Sequence, residues 1–243
     1  RRAGCAHKLM AGSFAHGMGR LNRAEPRMAA ALQDILARPG SLVRAVAAYL
    51  MGIEMGVTEE AARAIGCGIE YLHTASLVFD DLPAMDDDDL RRGKPTCHIQ
   101  FGEATAILAG DGLQSLAFQL LTELSDIPAQ TTVELIALLS RLGGCAGMVT
   151  GQAIDLAATG TALNLQQLKT MHAHKTGALI EASVVMGAMA TAQASPEQLS
   201  ALKEFSRAIG LAFQIQDDIL DVESSTEQLG KQQGSDIINQ KST

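Results

Sequence analysis

The stretch Thr58-Glu59-Glu60-Ala61-Ala62-Arg63-Ala64-Ile65-Gly66-Cys67-Gly68-Ile69-Glu70-Tyr71-Leu72-His73-Thr74-Ala75-Ser76-Leu77-Val78-Phe79-Asp80-Asp81 decides the fold. Ala62, Ile65, Ile69, Leu72, Ser76 and Phe79 recur at steps of three or four, the spacing of one helix face. Thr58 reads as the N-cap, with Glu59 and Glu60 in the first turn, where the helix dipole favours negative charge. The same periodicity recurs on both sides. Met28, Leu32, Ile35 and Leu36 form an apolar stripe before Pro39-Gly40. Helices are predicted over roughly 104–124, 131–149 and 164–193. A last one opens at the capping box Ser195-Pro196-Glu197-Gln198 and runs to about Val222. Alternating Val-Ile-Thr-Tyr runs, the mark of strands, are nearly absent. The 243 residues include only 6 prolines, which leaves room for long helices. We read the chain as all-α, a single domain over 1–243 built as an antiparallel helical bundle.

Composition excludes several classes. A charged fraction of 19% with mean hydropathy +0.12 rules out a disordered chain. The net charge of −8 argues against nucleic acid as a partner. No apolar run approaches the roughly 18 residues that a membrane span needs. Cys5, Cys67, Cys97 and Cys145 are scattered, which fits a reducing, cytoplasmic setting. The chain opens on Arg1 and closes on the polar stretch Ser224–Thr243, so we expect it to be incomplete at both ends.

Two acidic clusters carry the chemistry. Asp80-Asp81-Leu82-Pro83-Ala84-Met85-Asp86-Asp87-Asp88-Asp89 follows the apolar run Tyr71–Phe79, and Asp217-Asp218-Ile219-Leu220-Asp221 follows Ile209–Ile215. Asp217 and Asp218 share a helix face with Asp221. Like charges at about 4 Å repel by roughly 4 kcal/mol at an effective dielectric near 20. Hard divalent cations offset this, and Mg²⁺ favours one or two carboxylates plus substrate phosphate oxygens. The run Leu90-Arg91-Arg92-Gly93-Lys94 adds basic groups for phosphate beside the first cluster. Pro83 breaks the helix, so Asp86 can fold back towards Asp80 and Asp81. His73 lies seven residues before Asp80, on the same face. The pair His172 and His174 is a poor metal pair, since residues two apart diverge on a helix.

These residues resemble the trans-isoprenyl diphosphate synthase family of farnesyl and geranylgeranyl diphosphate synthases. Asp80, Asp81, Asp86, Arg91 and Arg92 match its first aspartate-rich motif, and Phe213-Gln214-Ile215-Gln216-Asp217-Asp218-Ile219-Leu220-Asp221 its second. Lys175-Thr176-Gly177 and the tail Gly230-Lys231-Gln232-Gln233-Gly234-Ser235-Asp236 to Lys241-Ser242-Thr243 match further elements. The wording of Asp80–His98 and Leu211–Val222 is most similar to bacterial short-chain synthases. The resemblance implies an isoprenoid synthase fold, a bundle around a deep central cavity, and a homodimer. It implies head-to-tail condensation of isopentenyl diphosphate with a C5–C15 allylic diphosphate. It implies three Mg²⁺ ions held by Asp80, Asp81, Asp86 and Asp217, supported by Asp218 and Asp221. The resemblance also implies catalytic roles for Asp80, Asp81, Lys175, Asp217 and Lys231. Arg91, Lys175, Thr176, Gln214, Lys231 and Lys241 would surround the allylic diphosphate, and Arg44, Arg92 and His73 would face isopentenyl diphosphate.

One stretch departs from the family pattern. Where the family shows Gly-Lys-Arg-x-Arg-Pro, this chain has Gly40-Ser41-Leu42-Val43-Arg44-Ala45. Each missing charge-assisted contact would cost about 1.5–3 kcal/mol. In the family, the residues four and five before the first aspartate floor the elongation pocket. Here they are Ser76 and Ala75, both small, with Phe79 one turn above. These imply a C20 product, with C15 next. A regulatory partner subunit and a class I terpene cyclase are the competing readings. The lost basic residues favour the first. The second lacks its usual Asn/Asp–Ser/Thr–Glu triad.

Overall fold

The computed structural model describes residues 2–17, 19 and 24–223, with the side chains of 218 and 221–223 left out. Eleven α-helices are described: α1 (Arg2–His16), α2 (Pro26–Leu36), α3 (Val43–Glu54), α4 (Glu59–Asp80), α5 (Cys97–Phe101), α6 (Glu103–Thr122), α7 (Ala129–Gly143), α8 (Met148–Ala157), α9 (Leu165–His172), α10 (Ala178–Met189) and α11 (Pro196–Glu223). A π-helical turn, Ala173–Gly177, joins α9 to α10. The strands β1 (Leu90–Arg91) and β2 (Lys94–Pro95) form a small antiparallel hairpin, pairing Leu90 with Pro95 and Arg91 with Lys94. The all-α expectation holds.

Local signals act as read. Thr58 Oγ1 accepts from Ala61 N at 3.3 Å. Ser195 and Gln198 form the reciprocal capping box, at 2.8 and 3.2 Å. Asn164 and Gln167 form a second one.

Two expected helices are divided. The stretch expected over 131–149 ends at Gly143 and restarts as α8, because Gly144 and Gly147 take extended conformations that an α-helix cannot hold. The segment expected over 164–193 carries the π-turn. Composition also corrects the reading of apolar runs. Ala129–Ala157 is long and apolar enough to cross a membrane, with mean hydropathy 1.4. The glycine break leaves helices of 15 and 10 residues, each shorter than a bilayer core requires. Helices α1, α3 and α5 have no counterpart in the sequence reading, and α8 overlaps it only at its first two residues.

The core lies around α4 and α10. Helix α4 packs against α6 and α3, while α10 packs against α3, α11 and α7. Every residue from Ala178 to Ala188 is buried, so α10 is enclosed on all sides, with Glu181 and Ser183 as its buried polar groups. One continuous cluster joins α1 to α10, from Met10 and Phe14 through Ile65, Ile69, Leu113 and Leu139 to Met186. Tyr71 seals its α1 edge, donating to the Phe14 carbonyl at 2.7 Å. This packing leaves one face of α4 free, and the site forms there.

Candidate active site

A cavity of about 590 Å³ opens along the last turns of α4. Leu72, His73, Ser76, Leu77, Phe79 and Asp80 line it from that helix, at helical spacing. Further lining comes from α8 (Met148, Val149, Gln152, Ala153), from Met171 and His172 of α9, and from Phe213, Gln214 and Asp217 of α11. Charged side chains and apolar ones share the lining.

At the end of α4 the chain does what Pro83 foretold. Helix α4 stops at Asp80, and the Asp86 amide donates back to the Asp80 carbonyl at 2.9 Å. Asp80, Asp86 and Asp88 line the cavity from the end of α4 and the loop after it, and Asp217 lines it from α11. Acidic groups at a helix C-terminus oppose the macrodipole, and no basic residue lies in the last turn of α4. Arg91 supplies the compensation from β1. Its Nε donates to Asp81 Oδ1 at 2.7 Å, and its guanidinium reaches Asp88 Oδ2 at 3.4 Å. Burial works against the charge on Arg91, but Asp81, Asp88 and Asp80 together raise its pKa. Asp81 therefore faces Arg91 and not the cavity. Asp88, which the sequence reading left unassigned, takes a place on the wall.

These donors fit Mg²⁺. They are hard oxygens on two elements that line one cavity. Among the described residues no three carboxylate, imidazole or thiol groups converge into a protein-only cage. That arrangement suits an ion that takes its remaining ligands from a substrate phosphate. The side chains of Asp218 and Asp221, and all of Lys231 and Lys241, lie outside the described residues.

Beside the carboxylates lies a basic group of three residues. Arg44 Nη1 lies 3.2 Å from His73 Nε2. Arginine only donates, so Nε2 accepts and the ring carries its proton on Nδ1. Burial, then Arg44, Arg92 and Arg91, hold the His73 pKa well below its ordinary value, so the ring is neutral. The Nε of Arg44 is buried without a hydrogen-bond partner, and its guanidinium lies 6.0 Å from the Phe213 ring centroid. Arg92 donates to the Arg38 carbonyl and lies over Gly40, where an added Cβ would come within 2.6 Å of Cζ. Glycine lets the guanidinium keep this position, and a larger residue would displace it. The backbone is strained on both sides of this group: Leu42 has φ 52° and Arg92 φ 54°. Ser41 lines the cavity where the family pattern has lysine.

The third group stands on the π-turn. Lys175 Nζ lies 2.6 Å from Asp155 Oδ2 of α8. Thr176 Oγ1 donates to Gln214 Oε1 of α11 at 2.6 Å. The turn sits this close to α8 because Gly151 has no side chain, and an added Cβ would come 2.7 Å from the His174 carbonyl carbon. Asp155 and Gln152 were not read from the sequence. Gln152 lines the cavity with both amide atoms buried and without hydrogen-bond partners. The sequence offers only Asp155 four residues after Gly151 in an otherwise apolar stretch, and the burial of that acid comes from packing. His172, read as bland, is buried on the wall.

The expected elongation pocket needs one adjustment. Ser76 and Phe79 line the cavity, but Ala75 is fully buried in the core cluster. It lies about 100° around the helix from Ser76 and so faces away.

A helical bundle enclosing a cavity lined by carboxylates and basic groups defines the class of isoprenoid synthases. The family model described as Polyprenyl synthetase matches residues 25–243. Farnesyl diphosphate synthase of Escherichia coli is 48% identical over 84% of this chain and 69% of its own length. The chloroplastic geranylgeranyl pyrophosphate synthase of Catharanthus roseus is 46% identical over 77% of this chain and 53% of its own. The structure of a Helicobacter pylori geranyltransferase complexed with magnesium and isoprenyl diphosphate superposes with a TM-score of 0.85, at 34% identity, over 98% of this chain and 82% of its own. The chain belongs to the polyprenyl synthetase family.

Proposed function

We propose that this chain is a Mg²⁺-dependent short-chain prenyltransferase that joins isopentenyl diphosphate head-to-tail to an allylic diphosphate. The observation that carries this reading is the lining of one cavity. Asp80, Asp86 and Asp217 line it together with Arg91 and Lys175, and Leu72, Leu77, Met148, Val149 and Phe213 give the same cavity apolar walls. Mg²⁺ held by Asp80, Asp86 and Asp217, with Asp218 and Asp221, would neutralise the allylic diphosphate and make it a better leaving group. Arg91 and Lys175 add fixed positive charge where the diphosphate gains negative charge. Thr176 and Gln214 orient it. Arg44 and Arg92, with neutral His73 between them and the α4 wall, hold the second diphosphate. The allylic carbon loses its C–O bond and gains a bond from the isopentenyl double bond. The proton then lost passes to the released diphosphate. Leu72, Leu77, Met148, Val149 and Phe213 keep water from the cation.

The small residue Ser76 on the wall supports a C20 product. A C15 product is the second reading, favoured by the likeness to the Escherichia coli farnesyl diphosphate synthase. Exposed Ile99 on α5 and Ile107 and Leu108 on α6 support a homodimer. The four free cysteines support a cytoplasmic setting, and the net charge of −8 supports no nucleic-acid partner. The break of Ala129–Ala157 into helices of 15 and 10 residues supports no membrane span.

The test is mass spectrometry of products from isopentenyl diphosphate with each of the C5, C10 and C15 allylic diphosphates and Mg²⁺. Prenyl diphosphates of C15 or C20 are expected. Absence of any condensation would reject the reading.

A further inference from the structure

Three residues of α4 point down the cavity wall below Asp80: Phe79, Ser76 and Leu72, at steps of three and four. Two are large, yet neither fills the space in front of it. Each is seated against a glycine of a neighbouring helix. A Cβ added to Gly110 of α6 would lie 2.5 Å from Phe79 Cζ, 2.6 Å from Cε1 and 3.1 Å from Cε2. A Cβ added to Gly143 of α7 would collide with Leu72 Cδ2. Helical side chains lean towards the N-terminus of their helix, so the Phe79 ring covers the wall at the depth of Ser76.

We infer that Gly110 and Gly143 are specificity-determining residues: they receive the side chains of Phe79 and Leu72 and so keep the elongation end of the cavity open. This rests on the prenyltransferase reading and deepens it. The argument is steric. Phe79 packs against the core cluster on one side and borders the cavity on another. Protein interiors have few voids, so a ring expelled from its notch moves into the open space that it borders. That space is the cavity. Leu72 meets the same constraint at Gly143, which itself lines the wall.

The experiment compares product lengths of the wild type, Gly110→Ala, Phe79→Ala and the double variant Phe79→Ala/Gly110→Ala, with the same substrates and Mg²⁺. Gly110→Ala is expected to lower the ratio of the longest product to the next shorter one by roughly tenfold or more, as for overpacking of a filled site. The double variant is expected to regain the length made by Phe79→Ala, because the clash is gone. Gly143→Ala and Leu72→Ala/Gly143→Ala repeat the test at the second notch, and serve if Gly110→Ala does not fold. An unchanged distribution in the glycine variants, with a wild type that elongates, overturns the inference. So does shortening that persists in the double variants. A wild type that makes no condensation product fails the prenyltransferase reading instead.

Discussion

The ammonium of Lys175 lies 2.6 Å from the carboxylate of Asp155, and the two come from elements pressed together at Gly151. The Asp155 side chain is 5% exposed and that of Lys175 25%. Lys175 is therefore held at the wall by a carboxylate that no metal role requires. Asp155→Asn keeps the shape and removes the charge. It is expected to raise KM for the allylic diphosphate and lower kcat/KM about tenfold, the effect of roughly 1.4 kcal/mol. Steady-state kinetics with the allylic substrate varied checks this. An unchanged kcat/KM would mean that the pair does not position Lys175.

The aspartates separate by what they touch. Asp80 and Asp217 line the cavity, whereas Asp81 is bound by Arg91. Asp80→Ala and Asp217→Ala are each expected to cut Mg²⁺-dependent turnover by about 10² or more. Their Tm should stay close to the wild type. Asp81→Ala leaves Arg91 buried beside one fewer partner, so it should lower Tm as well as activity. Melting curves run beside the assay distinguish the two classes.

Ala75 and Ser76 show how much of the site was legible in the sequence. The acidic clusters, the basic run after them and the helix caps are local features, and each was read from spacing alone. The face on which a residue lies relative to its neighbours is a property of packing. Period 3.6 puts Ala75 and Ser76 on different sides of α4, and only the contacts of α3 and α6 say which side is core. Asp155 and Gln152 were missed for a related reason. Their helix follows a glycine break, and its partner, the π-turn, arises from packing at Gly151. Ala75→Tyr is accordingly expected to destabilise the fold by about 1–3 kcal/mol through overpacking. Ser76→Phe is expected to shorten the product. A thermal melt and a product analysis of both variants check this pair of outcomes.

Ser41 and Arg44 both line the cavity, and Ser41 stands where the family pattern quoted above has lysine. Ser41→Lys would restore one charge-assisted contact to a bound diphosphate, a gain of about 1.5–3 kcal/mol. The KM for isopentenyl diphosphate is expected to fall roughly tenfold or more, with the allylic KM unchanged. An unaltered KM would mean that Arg44 and Arg92 already saturate that diphosphate.

His73 provides a stability test with a definite sign. Burial and the neighbouring arginines hold it neutral in the folded chain, whereas the unfolded chain protonates it near pH 6.5. Below that pH the unfolded state binds more protons, so stability falls as pH falls. Above it both states are neutral and the contribution is flat. The slope from this group reaches at most about 1.4 kcal/mol per pH unit. His73→Asn is expected to flatten the loss of stability between roughly pH 6.5 and 5, as read by denaturant unfolding at each pH. A variant with the same slope as the wild type would show that His73 titrates alike in both states. In the folded chain the ring is then charged, and it cannot accept a hydrogen bond from Arg44.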